Sequence, residues 1–302
     1  MVRTFVLLSI AAAALLVASC GASATAEPDA LRFTAIPDSD KTELELRFRP
    51  LAEHLSTVLG VPVEYVPTAD YSASVEMFKS GDVQLAWFGG LTGVQARAAV
   101  EGARVVAQGA VDPRFKTYFI AHDVSPESGD GAFPEDLLRG KRFTFGSRQS
   151  TSGRLMPEFH LREATGLAPT AFFSEVGFSG SHDKTAELVD SGAFEAGAIN
   201  FRTYDELLAD GRISADTCRV VWTTPEYADY NWTVHPRVDE TFGAGTADAI
   251  QSALLALDDP ALLAALQRPE GLIEAREEEF AGIASVAREL GFLREDDAPG
   301  NR

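Results

Sequence analysis

Three consecutive hydroxyl side chains stand where one helix of this chain is predicted to begin. Shortly after the apolar segment KRFTF, the sequence places Ser150, Thr151, Ser152 and Gly153. Hydroxyl groups at a helix start cap free N–H groups, and they can also donate hydrogen bonds to an oxyanion. Because capping alone explains such residues in most proteins, both interpretations stay open here. In an anion site, Gly153 would let the ligand approach the backbone.

A histidine and three aromatic residues occupy comparable places in the sequence. His182 falls in the first turn of another predicted helix, where it can donate to an anion or serve as a surface or capping residue. Tyr71 opens a third helix, and its hydroxyl can donate to an oxygen. Trp87 and Phe88 end a strand and can wall a pocket, with core packing as the alternative.

Enzyme motifs are missing from the sequence. It contains no G-x-S-x-G elbow, no G-x-x-x-x-G-K-[ST] phosphate loop and no His/Cys pattern with zinc spacing. A nucleophilic Ser152 paired with His182 is conceivable, but hydroxyls crowded at a helix start favour anion capture. We therefore expect a binding protein with no catalytic residue, no metal and no cofactor.

The elements that position these residues alternate between strand and helix. From Leu31 the pattern reads as βαβαβαβ, and after the strand at 115–122 it starts again with strands and helices over 141–224. Beyond Val238 only helices are predicted. The alternation indicates two α/β lobes, each a mostly parallel sheet flanked by helices.

Two chain crossings between the lobes are predicted, near 117–124 and 225–232. They assign 31–118 plus 229–302 to lobe 1 and 119–228 to lobe 2. Two crossings make a hinge, and the cleft between hinged lobes is a natural ligand site. All candidate residues lie at the carboxyl ends of strands, where open α/β sheets bind their ligands.

The overall charge limits the partners. The chain has 302 residues and a formal net charge of −19, with 45 acidic against 26 basic residues. Such a chain is a poor ligand for nucleic acid and is repelled by anionic lipid. A bound anion must therefore be held by local groups, such as helix N-termini that carry about half a positive charge each.

The N-terminal segment is predicted to direct export and lipidation. Residues 1–20 have one early basic residue, a short apolar run and the ending LVASC, which resembles a bacterial lipobox with Cys20 as the lipidated cysteine. Cleavage after ASA is the alternative. Residues 21–30 are a small-residue tether. Cys218 has no predicted disulfide partner and is expected to be a buried, small apolar residue.

Several separate motifs, spread over roughly residues 31–293, resemble one known family. The pair STSG and SGSHD, together with the segment TAIPDSD to AWFGG, is similar to the phosphonate-binding type of ABC-importer solute-binding proteins. The segments TTPEYADYNWTV and AGAINF resemble more closely the subgroup predicted to carry selenate or similar oxyanions. The resemblance implies a two-lobed, type II periplasmic-binding-protein fold that closes on phosphonate, phosphite, phosphate or a related anion.

The same resemblance implies a set of ligand contacts. These are Tyr71, the aromatic pair Trp87 and Phe88, Ser150, Thr151, Ser152 and His182. An acidic residue of aminophosphonate binders has its nearest match at Asp229–Tyr230. Asn200 stands where those proteins carry a further acid for the ligand amine, which argues for a small, bare oxyanion. Asp229 or Asn200 could accept the proton of a protonated anion.

The function expected is that of a monomeric, lipid-anchored solute-binding protein at the periplasmic or extracytoplasmic face of a bacterial membrane. It would capture a small tetrahedral oxyanion by hinge closure and deliver it to an ABC permease and its ATPase. A ligand-sensing subunit for a membrane signalling protein, or an enzyme on the same fold, are the alternatives.

Overall fold

A computed structural model describes residues 30–124 and 131–294 of the chain. The predicted export signal, Cys20 and nearly all of the tether therefore lie outside the described residues. Within the described ranges, no helix combines the length and the apolar character needed to cross a bilayer.

The strands of the described chain form two separate sheets, of six and five strands. In the first sheet they are β1 (Leu31–Ala35), β2 (Val63–Tyr65), β3 (Leu85–Phe88), β4 (Arg104–Gly109), β10 (Asn231–Val234) and β11 (Leu272–Glu274), in the order β11-β4-β10-β3-β1-β2. In the second they are β5 (Thr117–His122), β6 (Arg142–Phe145), β7 (Glu175–Phe178), β8 (Ala196–Asn200) and β9 (Cys218–Thr223), in the order β7-β6-β8-β5-β9.

Helices connect most of these strands. They are α1 (Lys41–Leu59), α2 (Tyr71–Ser80), α3 (Gly90–Ala99), α4 (Glu135–Leu138), α5 (Met156–Thr165), α6 (Pro169–Phe172), α7 (His182–Asp190), α8 (Phe201–Ala209), α9 (Arg237–Phe242), α10 (Thr246–Leu255), α11 (Pro260–Ala265) and α12 (Ala281–Glu289). Short helical turns cover Asp112–Arg114, Thr151–Leu155 and Glu277–Phe280. The first three helices start at an aspartate cap or a glycine: Asp40 for α1, Asp70 for α2 and Gly89 for α3.

Most strands in each sheet run in the same direction. In the first sheet, β1 pairs in parallel with β2 and β3, while β10 runs antiparallel to β3 and β4. In the second sheet, β6 pairs in parallel with β7 and β8, and β5 runs antiparallel to β8 and β9. The predicted α/β fold of two lobes is confirmed. The antiparallel members β5 and β10 are the first strands after each crossing between the sheets.

The two crossings lie side by side. The chain leaves the first sheet after Gly109 and returns to it at Asn231. Between the sheets, Phe115 and Tyr227 exchange backbone hydrogen bonds of 2.9 and 3.0 Å. Next to them, the Asp229 N–H donates to the Asp112 carbonyl at 3.1 Å. The crossings thus form a paired two-strand connection, the geometry of a hinge. The predicted lobe limits at 118/119 and 228/229 stay a prediction.

Two predictions of secondary structure are wrong. The tail after Val238 is not helical throughout, because Leu272–Glu274 forms β11 and pairs antiparallel with β4 at the sheet edge. A strand predicted over 171–178 begins only at Glu175, because Pro169–Phe172 forms a short helix. Both segments are short apolar runs, in which periodicity does not separate helix from strand.

Cys218 is the first residue of β9 and is fully buried. Burial raises the pKa of its thiol to about 12. The predicted role as a small apolar side chain is confirmed, and the thiol is unreactive at neutral pH.

Candidate functional site

The three predicted hydroxyl residues begin the helical segment that follows β6, and each is at most 2% exposed. Ser150 is the cap: its Oγ accepts the Gly153 N–H at 2.9 Å. The first turn, Thr151–Leu155, is π-helical, and the Leu155 N–H donates to the Ser150 carbonyl at 3.0 Å. The first N–H groups of a helix have no partner inside it, and π turns are frequent at functional sites. One helical turn can therefore contain both the Ser150 cap and the predicted anion site.

Gly153 is needed for packing within the protein. A Cβ atom at this position would lie 2.9 Å from Ser150 Oγ, 3.1 Å from the His182 ring and 3.2 Å from the Gly146 backbone. Its missing side chain lets His182 lie against the serine-threonine turn; the role expected for Gly153, room for a ligand, stays a prediction.

His182 opens α7 and is 1% exposed. Burial lowers the pKa of its ring to about 4, although Asp38 and Asp183 oppose that shift. Nδ1 accepts the Asn200 N–H at 3.3 Å. A neutral imidazole whose Nδ1 accepts carries its proton on Nε2. That Nε2 lies 3.4 Å from Ser152 Oγ, so an N–H and an O–H donor stand side by side.

Tyr71 opens α2 and is 2% exposed. Its hydroxyl oxygen is buried without a hydrogen-bond partner among the described residues. Burial, reinforced by the charges of Asp38 and Asp229 and opposed by the nearby Ser150 hydroxyl, raises the pKa of this phenol well above its ordinary value. The hydroxyl therefore stays protonated and can donate to an anion. A buried polar atom without a partner is rare in native proteins and indicates a ligand or a water molecule.

The N-terminus of α3 closes the site from the first lobe. The Gly90 N–H donates to Asp229 Oδ1 at 2.8 Å, and the Leu91 N–H donates to Thr151 Oγ1 across the lobes at 2.9 Å. A Cβ on Gly89 would lie 3.1 Å from Thr151 Oγ1. A glycine is required here because the two lobes approach so closely. Since Thr151 Oγ1 accepts from α3, its own hydrogen is available to another acceptor.

Asp229 is the buried acid of the site, at 1% exposure. One oxygen accepts from Gly90, while Oδ2 has no hydrogen-bond partner within the described residues. Burial raises the pKa of this carboxyl to about 7; Asp112 adds to the rise, while the Gly90 N–H and the Thr151 and Ser152 hydroxyls reduce it. Asp229 can therefore hold or release a proton near neutral pH.

Asn200 and Tyr230 lie in the site, but their polar atoms have protein partners. The Asn200 Oδ1 accepts the Thr203 N–H at 2.7 Å, and its Nδ2 donates to the Tyr230 hydroxyl at 3.3 Å. The Tyr230 hydroxyl in turn donates to Asp38 Oδ2 at 2.8 Å. The geometry does not favour Asn200 as the acceptor of a ligand proton, because its amide oxygen already caps α8.

The two aromatic candidates on β3 face opposite sides of the sheet. Trp87 stacks on Tyr230 with ring centroids 5.4 Å apart, so it backs the site indirectly. Phe88 points the other way and packs edge-on against Phe78 of α2, at 5.5 Å. Successive side chains on a strand alternate between faces. Phe88 therefore belongs to the core and lies apart from the other candidates.

Cations near the site are paired with acids or aromatic rings. Arg148 lies 3.8 Å over the Phe178 ring, and Arg202 pairs with Glu270. Behind the site, two buried ion pairs join Arg47 to Asp38 and Arg268 to Asp112. A bound anion would therefore depend on neutral donors and helix N-termini.

Sequence reasoning missed three contributors. Asp38 follows β1 at the same sheet edge as the predicted residues, so the strand-end rule applied to β1 would have found it. Gly90 supplies a backbone donor, which no side-chain pattern reveals. Thr117 donates to the Ser152 carbonyl at 2.8 Å from the start of β5, a position that carries no sequence signal.

No metal centre is visible in the part of the chain that the structure covers. Residues 30–124 and 131–294 contain no group of three His, Cys, Asp or Glu side chains arranged to hold an ion.

Comparison with known proteins identifies sequence relatives. Residues 33–280 match the family described as the phosphonate ABC transporter periplasmic substrate-binding protein. The chain is 36% identical over 272 residues to the probable ABC transporter phosphite binding protein PhnD1 of Prochlorococcus marinus, which covers 88% of this chain and 92% of that protein. It is 29% identical over 232 residues to the phosphate-import protein PhnD of Mycolicibacterium smegmatis, covering 70% of each.

Solved structures share the fold. The structure of Prochlorococcus marinus PhnD1 in complex with methylphosphonate has a TM-score of 0.82 at 36% identity, over 87% of this chain and 99% of that one. A binding protein component of an ABC phosphonate transporter from Pseudomonas aeruginosa has a TM-score of 0.73 at 19% identity, over 86% and 85%. At 19% identity, the similarity to the Pseudomonas aeruginosa protein shows only a shared fold.

Proposed function

We propose a function for this chain, which belongs to the family of periplasmic substrate-binding proteins of phosphonate ABC transporters. It captures a small tetrahedral phosphorus oxyanion between its two lobes. Closure buries the anion, and the closed protein delivers it to the importer. Phosphite and methylphosphonate are the preferred ligands, with phosphate next.

One observation carries the proposal. Donors from separate helix starts converge on one buried place: the Tyr71 hydroxyl of α2, the hydroxyls of the turn at 150–152, and His182 Nε2 of α7. Two polar atoms there, Tyr71 Oη and Asp229 Oδ2, are buried with no hydrogen-bond partner among the residues that the structure describes. Leaving such atoms unpaired costs about 1–3 kcal/mol each. A tetrahedral oxyanion supplies acceptors for the donors and, when protonated, a donor for Asp229.

Neutral donors suit this protein's charge. The whole chain carries −19, so the long-range field repels anions. Hydroxyl, imidazole N–H and helix N-terminal N–H groups act at short range, and hydrogen bonds to an ion strengthen when water leaves the closed site. Selectivity follows because an anion that fails to pair every buried group is penalised.

The proton state of Asp229 distinguishes phosphorus anions from selenate. Close to an anion, an ionised Asp229 without its own cation would repel the ligand. Phosphite and alkylphosphonates keep an acidic proton near neutral pH and can donate it to Asp229 Oδ2. Selenate and sulfate are fully deprotonated there, so Asp229 itself must supply the proton. The raised pKa of Asp229, about 7, serves a ligand that shares one proton with it.

The relatives favour the same choice of ligand. The Prochlorococcus marinus protein is named for phosphite, and its structure contains methylphosphonate. Selenate, suggested by two segments of the sequence, stays a prediction that direct binding can test. The relatives are transport proteins, and we propose that this chain, like them, binds without catalysing a reaction.

Attachment by lipid completes the proposal. Cys20, outside the described residues, is proposed to carry the anchor that keeps the protein at the extracytoplasmic face of the membrane, close to an ABC permease and its ATPase. A monomer is expected to suffice, since both lobes of the site come from one chain.

A thermal-shift screen tests the ligand. Purified protein is heated at pH 6, 7 and 8 with phosphite, methylphosphonate, phosphate, sulfate or selenate. A true ligand at a hundred times its dissociation constant stabilises the protein by about 2.7 kcal/mol. We expect phosphite or methylphosphonate to stabilise most; stabilisation by no phosphorus oxyanion would contradict the proposal.

A further inference from the structure

Four hydrogen bonds form a closed ring beside the proposed anion site. The His182 N–H donates to the Asp38 carbonyl at 3.0 Å, and the Asn200 N–H donates to His182 Nδ1 at 3.3 Å. The Asn200 side-chain amide donates to the Tyr230 hydroxyl at 3.3 Å. The Tyr230 hydroxyl in turn donates to Asp38 Oδ2 at 2.8 Å. We call this set of four residues the interlobe ring.

The ring spans the cleft. Asp38 follows β1 and Tyr230 precedes β10, both strands of the first sheet. His182 follows β7 and Asn200 is the last residue of β8, both strands of the second sheet. Two of the bonds, His182 to Asp38 and Asn200 to Tyr230, therefore join the lobes directly. Opening the cleft must break both.

Asp38 is the residue on which the ring depends. It is 5% exposed and takes part twice, through its carbonyl and through Oδ2. Its other carboxylate oxygen lies 3.6 Å from Arg47 Nη1, a buried guanidinium that offsets its charge. With both oxygens occupied by protein groups, Asp38 is not a ligand contact.

We propose that Asp38 is a positioning residue for anion capture: it orients the Tyr230 hydroxyl toward Asn200 and so holds the two lobes closed around His182. The proposal rests on the proposed function, since closure is what retains the anion. The ring acts after encounter, because its interlobe bonds exist only in the closed form. Loss of the ring therefore accelerates ligand release and leaves association almost unchanged.

Stopped-flow kinetics with methylphosphonate, followed by tryptophan fluorescence, test the role. Asp38→Ala removes the acceptor for Tyr230, and we expect the dissociation rate to rise about ten-fold with association within about three-fold. Asp38→Asn keeps an acceptor oxygen and removes the same charge, so it should restore release to within about three-fold of wild type. Asp40→Ala, two residues along the same loop, caps α1 and is the matched control with wild-type kinetics.

A double-mutant cycle shows whether the ring works as one unit. Tyr230→Phe breaks the same hydrogen bond as Asp38→Ala from its other end. The double variant should release ligand no faster than either single variant, whereas independent roles would multiply to about a hundred-fold. That product would overturn the proposal, and so would wild-type release from Asp38→Ala or failure of Asp38→Asn to restore it.

The outcome also separates the two proposals. If the wild-type protein binds no phosphorus oxyanion, the proposed function fails and the positioning role falls with it. If it binds methylphosphonate and Asp38→Ala releases it at the wild-type rate, only the positioning role is wrong.

Discussion

Replacing Asp229 by asparagine should change how anion binding depends on pH. The carboxyl is buried, its Oδ2 has no hydrogen-bond partner within residues 30–124 and 131–294, and its pKa is raised to about 7. Below that pH it carries a proton, and above it the buried negative charge faces the proposed ligand. The complex should therefore hold one proton shared between Asp229 and the anion.

How the affinity of the wild-type protein changes with pH depends on the ligand. Selenate brings no proton, so its affinity for the wild-type protein should be constant below pH 7 and fall about ten-fold per pH unit above it. At pH 9 the loss reaches about a hundred-fold, or about 2.7 kcal/mol. Phosphite, which loses its second proton near neutral pH, should bind most tightly near pH 7 and more weakly on either side.

Asp229→Asn removes the titrating group while keeping an oxygen for the Gly90 N–H and adding an amide donor. Its affinity for selenate should be constant from pH 5 to pH 9. Isothermal titration calorimetry over that range measures both proteins. Asp70→Asn, at the exposed cap of α2, is the matched control and should follow wild type because asparagine caps equally well. Identical pH profiles for wild type and Asp229→Asn would refute the reasoning.

Four further substitutions test the binding donors, closure of the lobes and the lipid anchor. Ser152→Ala and His182→Ala should each weaken phosphite binding ten-fold or more, about 1.4 kcal/mol, in calorimetry; unchanged affinity would remove that residue from the site. Gly90→Ala places a Cβ 3.0 Å from the Ala228 carbonyl and should impair closure of the lobes. The expected result is weaker phosphite binding and a larger radius of gyration in X-ray scattering. As the control, Gly282→Ala in α12 places a Cβ with no described atom within 4 Å and should bind normally. Cys20→Ser should release the full-length protein from the membrane fraction; retention there would contradict the proposed anchor.

The architecture could be predicted from the sequence because its signals are local. Aspartate caps and glycine stops mark the ends of α1 and α2, as at Asp70 and Gly81. The alternation of apolar strands with amphipathic helices then indicates a two-lobed α/β fold. The short strand Leu272–Glu274 was not predictable, because three residues at a sheet edge carry no periodicity and form only through pairing with β4.

The site was predictable only in part, for a physical reason. Helix starts after strands identify Ser152, His182 and Tyr71, since parallel strands bring their carboxyl ends to one edge. Hydrogen-bond partners depend on tertiary contacts that the sequence does not show. The Asn200 amide oxygen already accepts from Thr203 and its amide nitrogen donates to Tyr230, so only one lone pair of that oxygen is left for a ligand proton.

The roles of the glycine residues also depend on tertiary contacts that the sequence does not show. A glycine beside hydroxyls indicates close approach, but the sequence does not say of what. At Gly153 the neighbours are Ser150 and the His182 ring, and at Gly89 they are Thr151 of the other lobe and Asp229 of the crossing between the sheets. Only coordinates distinguish room for a ligand from room for the protein itself.

A crystal structure of the protein grown with methylphosphonate tests the central claim most directly. We expect the phosphonate oxygens between the lobes, within hydrogen-bond distance of the 150–152 turn, His182 Nε2 and Tyr71 Oη, with one oxygen facing Asp229 Oδ2. A ligand bound elsewhere, or held between the lobes by an arginine or lysine instead of these donors, would contradict it.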